Sequence, residues 1–299
     1  MTEELTVTEM SNKKGRGDRK DGILLKNLDA MHYIMPLIYP NRCDNEAFIS
    51  ERIDLTNINA YLNEKNSDNP EYKYNFFQVI VTSILKVITL RPKMNRFIAN
   101  GNIYQRNEVS ASFVIKKIFS DESEEGMAFI RTKDGYNINS VHNEIYRQVS
   151  SCRKGTDAGS TEKTMNILNK IPRFVSKAAL KCLCLLDRHG MVPAAIIDSD
   201  PYYSSVILSN LGSIKLHSGY HHLTNWGTTS IFVVVGERKK RSFYDENGNA
   251  EMRDSIDIGL TVDERIADGY YFSKTIRLLK KLLEYPELLE RDLTEEVEY

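Results

Sequence analysis

The chain lacks any apolar run near the roughly 18–20 residues that cross a bilayer, and its N-terminus has no apolar signal core. The first absence argues against a helical membrane span, and together they lead to the expectation of a cytoplasmic protein. No charge excess exists either: 40 Lys and Arg face 41 Asp and Glu, a net charge of -1. The whole-chain field therefore gives no case for nucleic acid or for an anionic membrane. Cysteine is sparse, with four residues, Cys43, Cys152, Cys182 and Cys184, whose spacing fits neither a zinc site nor a CxxC pair. Cys182 and Cys184 fall in the apolar run Ala178–Leu186 and read as buried, reduced thiols. Missing too are GxxxxGK[ST], a GxGxxG after a strand, HExxH and GxSxG. That argues against an NTPase, a Rossmann oxidoreductase, a zincin and an α/β-hydrolase.

What is present is ordinary globular material: 299 residues, 41% hydrophobic. Residues 1–20 are polar, with Lys13, Lys14, Arg16, Arg19 and Lys20 among acids, and read as a disordered arm. One domain is expected over 21–290, followed by a frayed acidic tail, 291–299. Phe48–Leu55 reads as a strand, with Thr56–Asn59 turning into a short helix. Phe77, Ile80, Ile84, Leu85 and Ile88 recur at helical spacing within Tyr74–Leu90, before the breaker Pro92. Ser110–Lys117 alternates and Met127–Arg131 follows, with a hairpin turn expected over Ser120–Gly126. Ile138–Val149 reads as helix, Gly155–Ser160 as a loop, and Thr161–Leu186 as two helical stretches broken at Pro172. Val206–Leu208, Ser230–Val235 and Ser255–Leu260 read as strands. Gly269–Leu283 reads as an amphipathic helix ended by Pro286. Strands and helices mix without βαβ alternation, so the fold class is α+β, a mixed β-sheet layered with helices.

Four segments form an ordered set: Tyr39–Phe48, Phe76–Phe97 with its Arg91-Pro92-Lys93-Met94-Asn95, Ser209-Asn210-Leu211-Gly212-Ser213, and Asp263-Glu264-Arg265-Ile266-Ala267-Asp268-Gly269. The set resembles the chloramphenicol acetyltransferase-like superfamily, which includes the catalytic domain of 2-oxo acid dehydrogenase dihydrolipoamide acyltransferases. That family's late motif is DHRxxDG and its earlier one is close to T-x-S-N-x-G. The resemblance spans roughly 23–290. It implies a CoA-dependent acyltransferase fold, a homotrimer, an active site between subunits, acyl-CoA as substrate and a small-molecule or lipoyl-type acceptor. No metal, nucleic acid or membrane partner is expected.

The family's histidine is a general base, and Glu264 stands in its place. A free glutamate, with a pKa of about 4.3, is a weak base for a thiol near 8.5, though burial raises a carboxyl by up to about 3–5 units. Two readings stay open: Glu264 takes the proton, or it pairs with Arg265 and does no chemistry. The resemblance gives Ser209 the role of donor to the tetrahedral oxyanion, with Asn210 and Gly212 shaping its turn. It gives Asp268 a structural ion pair, for which Arg42 is the candidate. Asp268 also suits the N-cap of the helix starting at Gly269. His217, His221 and His222 are alternative bases, and adjacent His221 and His222 make a poor metal pair. Trp226 is expected to pack at the start of a strand. The functional alternatives are an acyltransferase with an altered centre and a catalytically silent trimer acting as scaffold or regulatory subunit. About 20 residues precede Ile23, too few for a lipoyl domain, which disfavours the ordinary core of a multienzyme complex.

Overall fold

A computed structural model describes residues 15–116, 125–153 and 171–299. Lys13, Lys14, most of the Ser120–Gly126 turn, the Gly155–Ser160 loop and the helical stretch before Pro172 lie outside the described residues.

In chain order the elements are β1 (Gly22–Leu24), α1 (Ala30–Ile38), β2 (Glu46–Asp54), α2 (Thr56–Lys65), α3 (Phe76–Leu90), β3 (Arg96–Ala99), β4 (Asn102–Arg106), β5 (Ser110–Lys116) and β6 (Glu125–Arg131). There follow α4 (Ile138–Arg153), α5 (Arg173–Arg188), α6 (Ala194–Ser199), β7 (Val206–Asn210), β8 (Ile231–Val235), β9 (Lys239–Tyr244), β10 (Ala250–Asp263) and α7 (Gly269–Glu284). The main sheet runs β2-β10-β8-β7-β5-β6, with β9 also on β10. β5–β7 and β7–β8 are parallel and the other pairs antiparallel, so the sheet is mixed as expected. A small sheet, β1-β4-β3, stands beside it.

The alternation of β10 sets the layers. Ile256, Ile258, Leu260 and Val262 enter the main core with Ile84 and Ile88 of α3 and Leu278, Leu279 and Leu282 of α7. Each such side chain contributes about 1.5–3 kcal/mol by leaving water. α3 is covered by neighbours on nearly every side, so that every residue from Gln78 to Ile88 is buried, the polar Gln78, Thr82, Ser83 and Lys86 included. Its start is fixed by a capping box: Asn75 accepts from the Phe77 and Gln78 amides, and the Asn75 amide donates to Gln78 Oε1 at 3.0 Å. Period 2 then sends Asp257, Gly259, Thr261 and Asp263 to the opposite face. There Ile207, Phe232, Val234 and Leu223 form a second, smaller cluster.

Three expectations need correction. The end of the supposed arm is part of the fold: Arg19 is buried and bonded to Asp21 and Asp187, each at 2.9 Å. The tail does not fray at its start, since Leu293 is buried and its amide donates to the Tyr136 carbonyl at 2.8 Å. Cys182 and Cys184 are exposed, because α5 touches the body along one narrow strip and leaves most of its apolar residues outside. Among the described residues, no helix is long and apolar enough to cross a membrane.

Candidate functional site

The late motif begins where β10 ends. Asp263 is the last strand residue, Glu264–Ile266 make one tight helical turn, and Asp268 caps α7. Asp263 is wholly buried, and its carboxylate grips Arg265: Nε donates to Oδ1 at 2.8 Å and Nη2 to Oδ2 at 2.6 Å. The Nε of buried Arg42 lies 3.7 Å from the same carboxylate, a contact of charges. The Arg42 head also donates to the carbonyls of Thr224, Gly227 and Ile98. Burial pulls the Arg42 guanidinium below its ordinary pKa, and Asp263 opposes that pull.

This arrangement corrects two expected pairings. Arg265 is held by Asp263, not by Glu264. The partner of Arg42 is Asp263, not Asp268. Asp268 is exposed and acts as the N-cap, accepting from the Tyr271 amide at 2.9 Å, and that bond holds its carboxyl below the usual carboxylate range. Asp268→Ala should therefore lower stability by about 1 kcal/mol, the ordinary loss of a cap. A thermal melt showing no change would count against the cap. Gly269 opens α7 with open space around it.

Glu264 is tied only through its backbone, its amide donating to the Asn45 carbonyl at 2.9 Å. Its side chain is exposed and has no ionic or hydrogen-bonding partner among the described residues. Asn45 and Arg265 both donate to the Tyr39 carbonyl at the end of α1. Glu264 therefore sits beside a helix whose Met31, Tyr33, Leu37 and Ile38 are exposed.

Ser209 lies on β7 and, with Ile207, faces the second cluster. Its hydroxyl makes no hydrogen bond among the described residues. Asn210 Oδ1 is buried without a partner, and the Asn210 carbonyl accepts from Ser213 Oγ at 2.8 Å. Gly212 turns the chain so tightly that a Cβ would stand 2.6 Å from the Gly236 carbonyl oxygen. The following loop lies directly on the sheet: a Cβ on Gly259 would stand 2.0 Å from the Gly219 carbonyl oxygen.

Ser209 pairs with Val234, and Val234 with Gly259. Glu264 is five residues further along β10. At about 3.3 Å per residue and about 4.8 Å per strand gap, the two backbones are roughly 19 Å apart. One chain does not bring the two residues together.

The histidines separate. His217 is exposed, 3.3 Å from Glu237 and within reach of Lys239. His221 stacks on Phe232, with centroids 4.2 Å apart, on the same face as Ser209. Its Nδ1 is 3.0 Å from the His222 carbonyl. A carbonyl only accepts, so Nδ1 is the donor in this contact. His222 is exposed and stacks on His221. Trp226 donates to Asp200 at 2.8 Å and meets Tyr203 edge-on, the packing role expected of it.

Sequence reasoning missed Asp263. The signal was available: it follows Gly259 and Thr261 on the period-2 face opposite the core, at a strand end two residues before Arg265.

Residues 199–290 match the family model of the 2-oxoacid dehydrogenases acyltransferase catalytic domain. Both late motifs fall inside that span and the two earlier segments outside it. Among curated proteins none matches the chain. Solved structures do. A probable dihydrolipoamide acetyltransferase from Listeria monocytogenes is 15% identical with a TM-score of 0.57, over 91% of this chain and 96% of that one. The cubic core of the pyruvate dehydrogenase multienzyme complex is 12% identical at 0.58, over 89% and 94%. A chloramphenicol acetyltransferase is 11% identical at 0.53, over 88% and 99%. The chain shares the fold of these acyltransferases, and the resemblance read from the motifs is borne out.

Proposed function

We propose that the chain transfers an acyl group between CoA and a thiol or hydroxyl acceptor, small or lipoyl-type, at a site completed by a neighbouring copy in a homotrimer. The observation behind this reading is the gap of roughly 19 Å between Ser209 on β7 and Glu264 just past the end of β10. Each lacks a partner of its own, and two copies are needed to oppose them. The exposed, uncharged face of α1 supports the same reading. Whatever covers it also takes the adjoining Glu264 out of water.

In this site the Glu264 carboxylate of one copy takes the acceptor proton as the acceptor sulfur or oxygen attacks the thioester carbonyl. The Ser209 hydroxyl of the neighbouring copy donates to the resulting oxyanion. Collapse expels the CoA thiolate, which recovers the proton from Glu264. The cytoplasm, a reducing compartment, is where such a reaction fits.

The exposure of Glu264 in the single chain also favours a second reading, a silent assembly that keeps the fold as scaffold or regulatory subunit. One assay separates the two. Purified protein is mixed with acetyl-CoA and thiol or hydroxyl acceptors, and free CoA is followed. Turnover that Glu264→Gln abolishes supports the carboxylate base. A silent parent with activity in Glu264→His supports the scaffold reading on an intact framework. A native mass of one chain with no turnover defeats both.

A further inference from the structure

We infer that α5 docks the protein on an anionic lipid surface. The helix spans 16 residues, about 24 Å, and its outward side divides into two stripes. Arg173, Lys177, Lys181 and Arg188, at i, i+4, i+8 and i+15, share one stripe. All four are exposed, and none makes an ion pair among the described residues. Beside it run Phe174 (76% exposed), Ala178 and Leu185 (56% exposed), at i, i+4 and i+11. The only acid of the helix, Asp187, is buried on the body side, where Arg19 and the Tyr203 hydroxyl bond it. The outward face is thus cationic and apolar with no exposed anion.

That combination defines the occupant. A basic stripe next to Phe and Leu is the composition of a helix lying in the headgroup boundary of a bilayer, apolar side chains in the acyl region and cations at the phosphates. Each Lys or Arg near an anionic surface adds attraction that fades within a Debye length. A second copy presenting this same face would set one cationic stripe against another. The net charge of -1 hides the feature because the field is local. The inference does not rest on the acyl-transfer reading, and it revises the expectation of no membrane partner.

The test uses the whole chain and sedimentation with vesicles of phosphatidylcholine, alone or with about 30% phosphatidylglycerol. The protein should sediment with the anionic vesicles and be released near 1 M salt, where the Debye length is about 3 Å. Lys177→Glu with Lys181→Glu should cut binding by about tenfold or more, and Phe174→Ser with Leu185→Ser should also reduce it. These side chains are exposed, so melting temperatures should hold. Failure to sediment with anionic vesicles overturns the inference, as does binding that neither pair alters. A native mass that falls in the Phe174→Ser, Leu185→Ser protein overturns it in favour of a contact between copies.

Discussion

Asp263→Ala should cost the fold about 3–5 kcal/mol, the usual loss when one partner of a buried charge set is removed. The expectation is at the high end because one carboxylate serves two guanidiniums. Asp263, Arg42 and Arg265 are at most 5% exposed, so neither arginine can turn to water when the acid is gone. Arg265 would lose two charge-assisted bonds and keep only the Tyr39 carbonyl. Arg42 would keep its three carbonyl acceptors and lose its counter-charge. The Arg265 amide also donates to Asp263 Oδ1, so the turn that carries Glu264 would loosen. Denaturant unfolding followed by circular dichroism measures the loss. A change under 1 kcal/mol would show that the two cations find other compensation. Asp263→Asn should fall between the two, since an amide still accepts from Arg265 but supplies no charge.

The elements most legible in the sequence were those with one dominant period. α3 and α7 repeat apolar residues every three to four positions, and β5 and β10 alternate, so element and buried face followed together. The short strands β1, β3 and β4 span three to five residues each, too few for a period to emerge. α1 was hidden by Pro36 within the helix, which reads as a breaker. α5 misled for another reason. Its apolar residues match a core helix in composition, but a core stripe and an exposed stripe look alike until the body is known to touch only the side of Asp187. For the site, the structure places Ser209 near the end of β7 and Glu264 in the turn that follows β10. The pairing of Asp268 with Arg42 came from the family pattern alone, and the acid that meets Arg42 is Asp263, five positions earlier. The backbone decides it. A strand-end acid facing away from the core meets Arg42, whereas an acid before a helix turns to the helix amides.

Ser209→Ala should lower kcat by about 10²–10³-fold with little change in KM, because a donor to the oxyanion acts on the transition state and not on bound substrate. The hydroxyl has no hydrogen bond to lose among the described residues, so stability should stay within about 0.5 kcal/mol. The stronger result comes from mixing. Ser209→Ala protein keeps Glu264, and Glu264→Gln protein keeps Ser209; each alone should retain about 1% of the parent activity or less. If each site joins Ser209 of one copy to Glu264 of the next, fully exchanged equal mixtures should regain about a quarter of the parent activity, since one junction in four then pairs the two intact residues. If both residues served one chain's site, no mixture would recover anything. The register already places the two roughly 19 Å apart within a chain, a separation no side chain spans, so recovery on mixing is what the sheet geometry demands of any chemistry that uses them both.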